Sequence, residues 1–86
     1  MVVSALALPI RRMFMRWECR YSSSEMLYVV VDPDCVRSYL NSPDNGADRW
    51  DFADVLAGAH DAEVRALFND KVLEDLKAEV RRRYRP

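Results

Sequence analysis

Eighty-six residues, half of them hydrophobic and 31% charged, describe a single small folded domain over residues 1–86, one that buries only about 60–65% of the surface its unfolded chain exposes. The formal charge of −1 hides a sorted pattern: residues 1–24 carry net +3, residues 25–63 net −7 and residues 64–86 net +3, an order that on a folded surface can steer partners or satisfy its own opposite block. Two glycines, Gly46 and Gly58, leave no glycine-rich phosphate loop, which disfavours nucleotide-binding folds, and no run of about 20 apolar residues reaches membrane length.

The opening MVVSALALPI is apolar, but it lacks a leading basic residue and is cut short by Pro9 and Arg11, so it reads neither as a signal peptide nor as a span. Residues 1–12 are expected to form a flexible or loosely docked segment, faintly like an organellar transit peptide in composition, with Met13, Met15 and Met26 as alternative starts. From Met13 to Tyr21 the pattern alternates. Met13, Met15, Trp17, Cys19 and Tyr21 share one face, and Phe14, Arg16, Glu18 and Arg20 the other, the period of a half-buried strand. After the polar break Ser22-Ser23-Ser24-Glu25, the run MLYVVV from Met26 to Val31 suits a strand buried on both faces. The two form an antiparallel hairpin over residues 13–31 that needs helices to cover it, since an isolated hairpin is barely stable.

Asp32-Pro33 is a helix-start signal, with Asp as the cap and proline at the first helical position, and predicts a short helix over residues 33–40 with Val36, Tyr39 and Leu40 on one face. The turn formers of residues 41–46, NSPDNG, end it in a surface loop. A second helix is expected from Arg49 to Ala57, with Asp48 as cap, Asp51 at the reciprocal capping position and Gly58 as a left-handed terminator. Its apolar stripe is Phe52, Val55, Leu56 and Ala59. Asp61 then caps the last helical region, where Val64, Leu67, Phe68, Val72, Leu73, Leu76, Val80 and Tyr84 recur at helical spacing and Asn69-Asp70 offers a restart after a kink. Unbroken, residues 62–85 span about 36 Å and overhang a domain of about 30 Å. The expected fold class is therefore α+β: an antiparallel hairpin followed by three or four α-helices packed on one side.

Few residues suggest chemistry. The one histidine, His60, lies between helices without an assembled nucleophile, and reads as an exposed or capping residue. Cys19 falls on an apolar strand face, and Cys35 in an expected first helical turn between Asp32 and Asp34, whose charges oppose thiolate formation. Neither belongs to a CxxC pair, so both are read as reduced thiols in a cytoplasmic setting, with no metal site and no cofactor.

Binding residues are easier to nominate. Asp44, Asp48, Asp51 and Asp54 recur at spacings of four, three and three, which a helix would align along one side to meet a basic partner, although capping and turn roles explain the same residues. Trp50 is a core filler or an interface anchor, and Val80 and Tyr84 lie on a long stripe that outruns a small hairpin. These seven residues are the expected protein-binding set. Arg12, Arg16 and Arg20 with Phe14, joined by Arg81, Arg82 and Arg83, form the alternative nucleic-acid-binding set, which a pI near 5.7 disfavours. Strand arginines also guard a sheet edge, and terminal ones complement a helix dipole. The expected function is a non-catalytic protein-binding module: a small inhibitor or regulatory subunit acting on a larger enzyme or nucleic-acid-binding complex, or a self-associating homodimer. The alternative is a small nucleic-acid-binding regulator.

Overall fold

The computed structural model describes residues 15–84, so Met13, Phe14 and Arg12 lie outside the described residues. The alternation beginning at Met15 becomes the edge strand β1 (Met15–Arg20), which pairs antiparallel with β2 (Met26–Val31) through a turn closed by Tyr21 N–H donating to the Glu25 carbonyl at 2.9 Å. On β1, Met15, Trp17 and Cys19 are half-buried and Arg16, Glu18 and Arg20 exposed, as the pattern predicts; Tyr21 instead faces solvent, 54% exposed. β2 was expected to be buried on both faces. It alternates, with Leu27, Val29 and Val31 buried and Met26, Tyr28 and Val30 half-buried, because the helices cover only one side.

The expected helix over residues 33–40 is a third strand, β3 (Cys35–Leu40), antiparallel to β2 with Val31 opposite Val36 and Leu27 opposite Leu40. Asp and Pro start turns as readily as helices, and here Asp32 N–H donates to the Cys35 carbonyl at 2.8 Å to close a tight hairpin. β2 would otherwise leave a second row of backbone groups unpaired, a cost that outweighs local helix preference. After a 3₁₀ turn at Pro43–Asn45, the start of the expected second helix is also a strand, β4 (Asp48–Asp51), opposite β3. The sheet is thus a four-stranded meander, β1-β2-β3-β4.

Three helices follow among the described residues: α1 (Phe52–Ala57), α2 (Asp61–Leu67) and α3 (Asp70–Arg83). Asp51, not Asp48, stands at the cap position of α1, and Gly58 ends that helix in the left-handed region at φ 94°. Asp61 sits inside the first turn of α2 instead of capping it, and its carboxylate takes Lys77 of α3 at 3.0 Å. The long helix does break where Asn69-Asp70 offered a restart. Asn69 is extended, and its side-chain oxygen accepts from Val72 N–H at 2.8 Å. The break shortens the overhang, because a 14-residue α3 is about 21 Å long. Asn69→Ala is expected to remove about 1 kcal/mol and lower Tm by about 4–8 °C in thermal unfolding.

The core lies between sheet and helices. Val29, Val31, Val36 and Trp50 from the sheet meet Phe52, Val55, Val64, Leu73, Leu76 and Val80, all buried, with Trp17, Leu56, Phe68 and Tyr84 packed around them. Each fully buried aliphatic side chain contributes about 1.5–3 kcal/mol of transfer free energy. The architecture is α+β, with helices on one face of an antiparallel sheet.

Candidate protein-binding cleft

Cross-strand register arranges the helix-facing side of the sheet in rows. Met15, Val31, Val36 and Trp50 form one row, Trp17, Val29, Ser38 and Asp48 the next, and Cys19, Leu27 and Leu40 the last. Helix α2 ends at Leu67, and beside it the last row is left open as a cleft of about 490 Å³. Leu27, Leu40 and Leu67 give its lining an apolar surface; Ser38 and Asn45 add polar groups, and Tyr21 stands at its side. Tyr21 and Leu67 are the exposed large hydrophobic residues among those described. Three carboxylates share the lining. Glu25 accepts from the Ser22 hydroxyl at 3.0 Å, Glu63 lies 2.9 Å from His60 Nδ1, and Asp48 is exposed on its strand. No described lysine or arginine pairs with any of the three. Leucine surface beside three carboxylates, one of them shared with His60, favours a cationic, partly apolar group.

Of the expected acidic row, only Asp48 lines this cleft. Asp44 lies exposed in the 3₁₀ turn after its cap Ser42, Asp51 points to the opposite face of β4 and pairs with Arg49 at 3.5 Å, and Asp54 is exposed in the first turn of α1. The shared helix side does not exist, because a strand period of two sends Asp48 and Asp51 to opposite faces. Trp50 is 6% exposed, with its ring stacked on His60 at 4.2 Å and 8°; Val80 is 0% exposed, and half-buried Tyr84 meets Phe52 edge-on at 6.5 Å. These three spend their surface on the core. Tyr21, Glu25, Leu27, Leu40, Glu63 and Leu67 were not singled out from the sequence as binding residues; the end of α2 at Leu67, signalled by Asn69, was the available clue.

The described members of the nucleic-acid set are dispersed. Arg16 and Arg20 are exposed on β1, but Arg16 lies 3.8 Å from Glu18 and 5.2 Å over the Tyr28 ring, and Arg20 donates to the Ser23 carbonyl at 3.4 Å. Arg82 and Arg83 both bind Glu79, leaving Arg81 exposed at the end of α3. On the outer sheet face Tyr28 and Tyr39 lie 5.4 Å apart, while Arg37 pairs with Asp32 at 3.6 Å and Arg49 with Asp34 and Asp51. Carboxylates therefore match Arg16, Arg37 and Arg49 on that face, which weakens attraction for phosphate.

Both cysteines are free thiols. Burial pushes the Cys35 thiol up; Arg49 draws it down, and Asp34 and Asp32 add to the rise, so it holds its proton at neutral pH. Burial likewise raises Cys19. Among the described residues no group of three His, Cys, Asp or Glu side chains is placed to hold a metal ion, and no helix is long and apolar enough to cross a membrane. Compared with known protein families, curated proteins and solved structures, the chain matches none.

Proposed function

We propose that this protein is a non-catalytic protein-binding module, working in the cytoplasm as a small inhibitor or regulatory subunit. Its partner places a basic side chain, flanked by apolar ones, in the cleft between α2 and the open end of the sheet. One observation carries the reading: Leu27, Leu40 and Leu67 line the same opening as Glu25, Asp48 and Glu63. The apolar surface supplies affinity and the carboxylates supply orientation and selectivity for positive charge. Acidic groups elsewhere on the surface, Asp44 and Asp54 among them, extend the attraction to enzymes or nucleic-acid-binding complexes with a basic face.

The test uses a fluorescein-labelled decapeptide of alternating Arg and Leu, its Glu-Leu counterpart, and anisotropy. The basic peptide is expected to bind and the acidic one not. Asp48→Lys with Glu25→Lys should weaken binding about tenfold or more, whereas Asp44→Lys with Asp54→Lys, the same charge change outside the cleft, should weaken it less than about threefold. Equal losses from the two double variants, or no preference between peptides, would reject the cleft as the binding site.

A further inference from the structure

Among the described residues the outer edge of β1 has no partner strand. Three backbone bonds phase the ladders: Tyr21 N–H to the Glu25 carbonyl at 2.9 Å, Asp32 N–H to Cys35 at 2.8 Å and Asn41 N–H to Met26 at 2.8 Å. Even-numbered residues of β2 therefore face β3 and odd-numbered ones face β1. Met15, Trp17 and Cys19 direct their backbone groups to β2, and those of Arg16, Glu18 and Arg20 point outward. No described strand pairs with them. Edge strands are commonly blunted by proline, a bulge or charged side chains. β1 has neither proline nor bulge and its register with β2 is unbroken, and its charges, Arg16, Glu18 and Arg20, are of mixed sign, so they discourage only an edge that cannot pair them.

We infer that this edge pairs antiparallel with the same edge of a second copy, extending the sheet across a two-fold axis at Trp17. Side-chain alternation restricts pairing to registers in which residues of one face oppose each other. With Trp17 opposite its own copy, Arg16 faces the second copy's Glu18 and Glu18 faces its Arg16, so two opposite-charge pairs form by symmetry. Outward N–H and C=O groups meet at the same positions. A shift that sets Glu18 opposite itself puts like charges together and aligns Arg16 with Arg20, which charge disfavours. The chosen register also brings together two half-buried Trp17 rings at the closely spaced, non-hydrogen-bonded position, where aromatic pairs gain most. This surface is distinct from the cleft, and different variants test the two.

Sedimentation equilibrium of the full chain over about 1 µM to 1 mM reads the proposal directly. The mass should rise from 10.0 kDa toward twice that value. Glu18→Arg alone, and Arg16→Glu alone, should each raise the dimer Kd about tenfold or more, while the combined swap restores it to within about threefold, because the facing charges again oppose. Glu18→Pro removes only an outward amide, so the circular dichroism of the monomer should persist while the dimer is lost. A monomer at all concentrations, or a dimer indifferent to the single reversals or not restored by the swap, would overturn the inference. So would Arg16, Glu18 and Arg20 amides protected from hydrogen exchange equally at low and high concentration, which would mean the chain's own N-terminal segment fills the edge.

Discussion

Trp50→Ala is expected to lower the unfolding free energy by about 3–4 kcal/mol, most of the roughly 5 kcal/mol available to a domain of this size. The side chain is 6% exposed, faces the helices from β4 beside Val36, and stacks on His60 at 4.2 Å. Truncation opens a large cavity in the row nearest α1 and removes the anchor that holds the edge strand β4 to the core. Trp50→Phe keeps an apolar ring and should cost about 1–1.5 kcal/mol. Urea unfolding followed by far-ultraviolet circular dichroism measures both. Where the variants remain folded, affinity for the Arg-Leu peptide should change little, since Trp50 lies outside the cleft; a large affinity loss with unchanged stability would instead make it a binding anchor.

The second large effect belongs to Glu79 on α3, a 6% exposed carboxylate that accepts from Arg83 Nε at 2.8 Å and from Arg82. Burial pushes its pKa up, but the hydrogen bonds and charges of Arg83 and Arg82 overcome that and hold it below the ordinary 4.5. Glu79→Ala leaves the largely buried Arg83 without this acceptor and is expected to cost about 2 kcal/mol. The group also sets an acid limit. Its folded pKa lies below its unfolded value, so on acidification the unfolded chain takes up the proton first. The stabilisation is complete above the unfolded value near 4.5 and is lost as pH falls through the folded one. Between pH 6 and about pH 3, wild type should lose more stability than Glu79→Ala; parallel pH profiles would contradict this account of the pair.

Elements whose signals are local were legible from sequence. Alternation marks β1, β-branched and aromatic content marks β2 though not its one-sided burial, Gly58 marks the end of α1, and Asn69 marks the restart at α3. β3 and β4 were misread because their pairing is non-local: Asp32-Pro33 supports a turn or a helix equally well, and only the open side of β2 decides between them. Asp48–Asp51, four residues with weak strand preference, become β4 only because β3 is there to pair with. The acidic row fell with that helix, since its spacing has meaning only at a period of 3.6. Val80 and Tyr84 belong to the same lesson: helical spacing identifies an apolar stripe, and how much of the stripe the sheet covers is a tertiary fact, while Trp50 takes the core role of the two its residue type offered. The cleft was hidden for the same reason, because it exists where α2 stops short of the Leu27 and Leu40 row.

The most direct test of the binding account is where a basic, apolar ligand sits. Two-dimensional ¹H–¹³C and ¹H–¹⁵N correlation spectra, recorded while the Arg-Leu peptide is titrated in, should show the largest shifts at the methyl groups of Leu27, Leu40 and Leu67 and at the amide of Asp48. The outer face at Tyr28, Val30 and Arg37 should remain still. Shifts centred on that outer face, or spread evenly over every acidic surface, would contradict the cleft as the seat of function.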